Sequence, residues 1–200
     1  MIRIDLKVVL LGPAKVGKTS LAQRFVNEKF NEHMSYQNTI GVAFTSKQIQ
    51  INNDQSIVMG LWDTAGSERY KATSKIYYRG ASAAVICYDV IDRDSFHDAK
   101  SWIQELRSVE EDCKIYLCAT KADLLEIGHE ASPSLDMVKR YAASVQFKFF
   151  LTSSKTGFNV AELFQEIAQD YMLNPKRIVQ PAEDLITLNV HTKRSRCCRS

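Results

Sequence analysis

Gly12-Pro13-Ala14-Lys15-Val16-Gly17-Lys18-Thr19 follows an apolar run at 6–11, Leu-Lys-Val-Val-Leu-Leu, and opens a stretch of helical period at 18–27. The spacing is GxxxxGK[ST], and it stands between strand and helix as that pattern requires. Its glycines let the loop curl, so that backbone N–H groups and the N-terminus of the helix converge on an anion. In this arrangement Lys18 reaches the β- and γ-phosphates of a nucleotide, and the Thr19 hydroxyl ligates Mg²⁺. The motif specifies a nucleotide without specifying the base.

Outward from this loop, apolar runs alternate with helical periodicity. Strand-like runs occupy 6–11, 42–51, 56–62, 83–89, 114–120 and 146–151; helical stretches occupy 18–27, 95–110, 134–144 and 160–172. This alternation predicts an α/β fold: six strands, mostly parallel, with helices on both faces. Asn52-Asn53-Asp54 suits a hairpin, which makes one pair antiparallel. Ligands of open α/β sheets bind beyond the carboxyl ends of the strands, so the loops after Leu11, Trp62, Thr120 and Leu151 are expected to carry the chemistry.

All four do carry polar motifs. Trp62-Asp63-Thr64-Ala65-Gly66 puts a carboxylate at a strand end, where Asp63 can hold Mg²⁺ directly or through water. Gly66 leaves room for a γ-phosphate to approach the backbone. Thr120-Lys121-Ala122-Asp123 and Thr152-Ser153-Ser154-Lys155 close two later strands. Asp123 accepts only, so it can take both the ring N–H and the exocyclic amine of guanine, a donor pair that adenine lacks. Lys121 and Lys155 would pack along the base, and the Ser154 N–H would meet the guanine oxygen.

Length and composition bound the remainder. With 200 residues, 45% of them apolar, the chain supports one domain and a short appendage. No run approaches the ~20 apolar residues needed to span a bilayer, and the first residues resemble neither a signal peptide nor a myristoylation site, which points to the cytosol. Cys87, Cys113 and Cys118 lie in or beside apolar runs and read as buried thiols. From Asn174 onward Lys176, Arg177, Lys193, Arg194, Arg196 and Arg199 face only Glu183 and Asp184, so the basic charge resides in the tail. Residues 1–173 are read as one domain and 174–200 as a flexible tail. The tail's charges have no aromatic interleaving, which argues against nucleic acid.

With the four motifs in this order, the chain resembles the Ras superfamily over about residues 5–173, and within it the Rab family. The Rab resemblance rests on Ile40-Gly41-Val42-Ala43-Phe44, Ser67-Glu68-Arg69-Tyr70 and Tyr77-Tyr78-Arg79-Gly80-Ala81. It implies the P-loop NTPase fold of small G-proteins and a monomeric GTP/GDP switch that hydrolyses GTP. It also implies a nucleotide site formed by residues 12–20, Ser20 included, with Thr39, Asp63, Gly66, Thr120, Lys121, Asp123, Ser153, Ser154 and Lys155. Thr19, Thr39 and Asp63 are the metal set; Lys18, Thr39, Gly66 and Ser67 are the catalytic set. Thr39 closes the first switch on Mg²⁺ and γ-phosphate, and 67–79 forms the second. Ile40, Gly41, Phe44, Trp62 and Tyr77 are expected to meet effectors, and Phe30 to stack on guanine.

The resemblance further implies geranylgeranyl groups on Cys197 and Cys198, which form a Cys-Cys-x-x ending rather than C-a-a-X. Implied partners are an escort protein, a GDP-dissociation inhibitor, an exchange factor, an activating protein and effectors. The membrane face would be cytoplasmic, with the anchor peripheral.

Several residues depart from the family pattern. Ser67 stands where most relatives have the glutamine that orients the attacking water, which predicts slow hydrolysis. Thr120 replaces an asparagine whose amide ties the base loop to the phosphate loop, which predicts a lost tie and weaker nucleotide binding. Ala14, Lys15 and Ala43 are also unusual. Together these resemble one atypical branch of the family. The rival readings are a non-cycling GTP-bound platform with decayed catalysis and, less compatible with the guanine motifs, a P-loop kinase for a small metabolite.

Overall fold

The computed structural model describes residues 3–30, 39, 41–66 and 76–175. Ile40, Ser67, Cys197 and Cys198, with the rest of the second switch up to residue 75, lie outside the described residues.

Six strands form one sheet in the order β2-β3-β1-β4-β5-β6, where β1 is Leu6–Leu11, β2 Val42–Gln50, β3 Ser56–Thr64, β4 Ala83–Asp89, β5 Lys114–Thr120 and β6 Lys148–Leu151. Only β2 and β3 pair antiparallel; the other neighbours are parallel, as expected. The hairpin turn is fixed by the Asn52 side chain, whose Oδ1 accepts from the Asp54 and Gln55 N–H groups.

Among the described residues, α1 is Lys18–Asn27, α2 Arg93–Arg107, α3 Asp123–Glu126, α4 Leu135–Ser144 and α5 Val160–Leu173, and 76–78 are also helical. Residues of β1 alternate between two cores. Leu6, Val8 and Leu10 pack with Leu21 and Phe25 of α1 and Phe164 and Ile167 of α5, whereas Val9 and Leu11 pack with Phe96 and Trp102 of α2 and Val138 of α4. Both faces of the sheet are therefore covered, which is why β1 reads as a nearly continuous apolar run, interrupted only by Lys7.

Several element bounds differ from the sequence reading: β3 runs on to Thr64, two residues further than expected, and α2 ends at Arg107 rather than at 110. α2 begins two residues earlier than expected because Asp92 caps it, accepting from the Asp94 and Ser95 N–H groups. The strand expected at 146–151 starts at Lys148, since Gln146, at φ 58, and the Phe147 N–H on the Ala142 carbonyl belong to the turn that ends α4. The short α3 was not anticipated; at four residues it is too brief to show a helical period.

Candidate functional site

Because β1, β3, β5 and β6 run in the same direction, the loops that follow them lie at one end of the sheet. The first is the loop 12–17. Gly12 has φ 138, and a Cβ there would sit 2.2 Å from the Cys87 carbonyl oxygen, so this position admits only glycine. Lys15 adopts a left-handed φ of 66 at the mouth of the loop with its side chain exposed. Gly17 occupies the N-cap of α1 and no side chain caps the helix, so its first N–H groups have no such partner. The Lys18 ammonium, 5% exposed, donates to the Gly12 and Pro13 carbonyls at 2.9 and 2.8 Å. Two of its three donors are thereby used. Burial lowers its pKa, opposed by the neighbouring Asp63 carboxylate.

At the end of β3 the Thr19 hydroxyl donates to Asp63 Oδ2 at 2.6 Å and lies 2.9 Å from the Thr39 hydroxyl. The other carboxylate oxygen, Asp63 Oδ1, is buried with no hydrogen-bond partner among the described residues. Burial raises the Asp63 pKa, opposed by the Thr19 hydrogen bond and the Lys18 charge. An orphaned buried carboxylate oxygen is costly unless a cation or water meets it. Together with two hydroxyl oxygens it forms a hard donor set of the kind that Mg²⁺ takes, so the residues present fit that ion. Thr64, between Asp63 and Gly66, is anchored instead to the Leu10 carbonyl by its hydroxyl at 2.8 Å. A Cβ on Gly66 would lie 2.5 Å from the Ala14 nitrogen and Lys18 Nζ, filling the space beside the ammonium.

At the far end, Asp123 Oδ1 accepts from the Ser153 hydroxyl at 2.5 Å, and the Ala122 N–H on the Thr152 carbonyl joins the loops that follow β5 and β6. Lys121, at φ 61, pairs its ammonium with Asp89 at 2.6 Å, leaving its stem beside Asp123's loop. Ser153 and Ser154 are buried, and Lys155 is exposed.

The tie expected to be missing at Thr120 is present. Its hydroxyl lies 2.5 Å from the Val16 carbonyl and 2.8 Å from that of Tyr88, so it ties the end of β5 to the loop 12–17 as a donor. Thr120 is fully enclosed, and at that close approach a short hydroxyl spans the gap for which a longer amide had seemed necessary.

Sequence reasoning missed Arg24, whose guanidinium binds the Ser154 and Lys155 carbonyls, each at 2.6 Å. In sequence its only signal was a basic residue in the last turn of a helix.

Of the expected effector residues, Phe44 and Trp62 lie on the β2–β3 pair near this end. Phe44 faces Trp62 across the β2–β3 ladder with ring centroids 4.8 Å apart; Phe44 is exposed and Trp62 half-buried. Lys7 places its ammonium 4.7 Å from the Trp62 ring centre. Tyr77 is half-buried and its neighbour Tyr78 fully buried, while Ile76, not anticipated, is exposed. The Gly41 carbonyl accepts from the Ala65 N–H at 2.9 Å, joining the stretch after Thr39 to the end of β3.

Residues 7–173 match the Ras family. The chain is 38% identical to Ras-related protein Rab-24 of Dictyostelium discoideum, covering 98% of both chains. It is 41% identical to GTP-binding protein ypt5 of Schizosaccharomyces pombe over 88% of this chain and 82% of that one, and 40% identical to Ras-related protein RABF2a of Arabidopsis thaliana over 90% and 86%. A family match across most of the chain, with Rab proteins as its relatives and the phosphate loop at the end of β1, makes this chain a member of the Ras family, a Rab-type small GTPase that binds GTP and GDP and hydrolyses GTP.

Proposed function

We propose that the chain is a membrane-anchored switch for intracellular vesicle traffic. In the GTP state the segments around Thr39 and 64–79 are ordered to bind effectors, and hydrolysis releases them. The observation that carries this reading is the convergence of the Thr19, Thr39 and Asp63 oxygens beside the buried Lys18 ammonium. The Thr39 hydroxyl reaches Thr19 of α1, and the Gly41 carbonyl two residues on accepts from Ala65, so a ligand that holds Thr39 there acts on the chain leading into Phe44.

Thr19, Thr39 and Asp63 are the residues that would hold Mg²⁺, which when bound neutralises charge on the β- and γ-phosphate oxygens. Lys18 directs its remaining N–H at the phosphates, and the uncapped first turn of α1 supplies N–H groups to the same anion. Gly66 brings backbone close to the γ-phosphate without displacing it. Asp123 reads the guanine amine and ring N–H, Ser153 orients that carboxylate, and the stems of Lys121 and Lys155 flank the base. Phe44, Trp62 and Tyr77, with Ile40 and Gly41, form the effector surface, supported by the exposed Phe44 ring packed against a half-buried Trp62.

Ser67 lacks the reach of a glutamine amide, so intrinsic hydrolysis is slow. Ser67→Gln is expected to speed single-turnover hydrolysis about tenfold, which corresponds to ~1.4 kcal/mol of transition-state stabilisation. Equal nucleotide occupancy is verified first. A wild-type rate at or above that of the variant would remove both the catalytic defect and the support for a non-cycling platform.

Residues 174–200 act as the tether, with geranylgeranyl groups on Cys197 and Cys198 attached through an escort protein and masked by a GDP-dissociation inhibitor. Two chains give the stable anchoring that one does not, and Lys193, Arg194, Arg196 and Arg199 each add ~1 kcal/mol of attraction to an anionic leaflet. The Cys197→Ser/Cys198→Ser double variant, tagged and imaged beside the parent, is expected to be dispersed in the cytosol, because basic residues alone are screened over ~8 Å at physiological salt. Retention on membranes would mean a different anchor.

A further inference from the structure

Three hydrogen bonds leave the Arg24 guanidinium, in the last turn of α1. Nη1 donates to the Glu28 carbonyl at 2.7 Å, Nε to that of Ser154 at 2.6 Å and Nη2 to that of Lys155 at 2.6 Å. The first is local and holds the arginine against its own helix end, where the Glu28 N–H bonds back to the Arg24 carbonyl. The other two join α1 to a loop about 130 residues away in sequence.

Within a trans peptide the C=O and N–H point in opposite directions. A carbonyl fixed on Arg24 therefore turns the N–H of the following residue to the far side of the loop. After Lys155 that N–H belongs to Thr156, and it donates to Ser153 Oγ at 3.2 Å. The Ser153 hydroxyl donates in turn to Asp123 Oδ1 at 2.5 Å. The turn is closed by the Gly157 N–H on the Ser153 carbonyl at 2.8 Å. A continuous chain of hydrogen bonds thus runs from α1, through Lys155, Thr156 and Ser153, to Asp123. The same helix carries Lys18 and Thr19 in its first turn, about 9 Å from Arg24 along the axis at ~1.5 Å per residue.

We propose that Arg24 is a positioning residue for base selection: by forking onto the Ser154 and Lys155 carbonyls it sets the loop that aims the Asp123 carboxylate, and it references the base site to the helix that holds the phosphates. The proposal rests on the guanine reading of Asp123. The planar fork is essential to it, since an ammonium is a point donor and cannot reproduce two bonds of fixed mutual geometry.

If Arg24 merely pinned a surface loop, its loss would weaken every nucleotide alike. If it aims Asp123, the loss falls hardest on a ligand that uses both donors of guanine. The test compares GDP with inosine diphosphate, which lacks the exocyclic amine, on the full chain and its R24A and R24K forms by equilibrium titration with Mg²⁺ present. In R24A the GDP affinity is expected to fall about tenfold, the loss of one charged hydrogen bond, and the preference for GDP over inosine diphosphate about threefold or more, with R24K between R24A and the parent. Equal weakening of the two ligands, or unchanged GDP affinity, overturns the proposal. Should R24A fail to fold, R24K carries the test alone: a reduced preference supports the proposal and an unchanged one overturns it. A parent chain with no preference for GDP over inosine diphosphate would instead overturn the guanine reading.

Discussion

Asp123→Asn is expected to cost the protein its affinity for GTP by roughly 10² to 10⁴-fold, two charged hydrogen bonds of ~1.5–3 kcal/mol each, and to transfer the preference to xanthine nucleotides. Xanthine replaces the exocyclic amine of guanine with a carbonyl and keeps the ring N–H. The structure determines how the substituted amide would sit. The Ser153 hydroxyl donates to Oδ1, so the amide oxygen stays on that side and its NH₂ takes the place of Oδ2. The new side chain then presents one acceptor and one donor, which matches xanthine and opposes guanine. Competition between GTP and xanthosine triphosphate on parent and variant measures the exchange. The parent should ignore ATP, because adenine lacks the donor pair and would leave the Asp123 carboxylate without its partners. Retention of ATP as well as GTP by the parent, or an unaltered preference in the variant, would mean that Asp123 does not read the base.

Lys18→Ala is expected to lower affinity for both GDP and GTP by about 10²-fold or more, the cost of removing one partner from a buried charged contact. The ammonium is almost wholly enclosed and already oriented by the Gly12 and Pro13 carbonyls, so little conformational freedom is lost when it meets a phosphate. Its removal also takes away a charge that opposes the burial-raised pKa of Asp63. The carboxylate of the variant should therefore take up a proton at higher pH than in the parent, and residual Mg²⁺-dependent binding should fade earlier as pH falls. Thr19→Asn acts differently: it disturbs the hydroxyl that lies between Asp63 and Thr39, which the triphosphate needs more than the diphosphate does, so GDP should be favoured and effector binding lost. Titration of GDP and GTP across pH separates the two variants. Normal GTP affinity in both would contradict the assignment of the loop 12–19.

Much of this was legible in the sequence because the deciding signals are local. The strand, loop and helix around residues 6–27 follow from apolar run, glycine spacing and helical period, and the order of the later runs dictates a mostly parallel sheet with one hairpin. Asp63, Asp123 and Ser153 could be nominated because motifs after strands must, in such a sheet, come to one end. What required the tertiary structure were contacts between segments far apart in the chain, which no local pattern encodes. Thr120 read as a loss until its hydroxyl was found within reach of the Val16 carbonyl, 104 residues away. Arg24 carried no sequence signal beyond a basic residue near a helix end, and the two carbonyls it holds lie about 130 residues away. The sequence by itself determined which chemical groups are present and which strand each one follows. The separations that decide whether a hydroxyl can replace an amide, or an arginine can aim a carboxylate, depend on how closely α1, β5 and the loop after β6 pack, and that packing is set by the two cores on either side of the sheet.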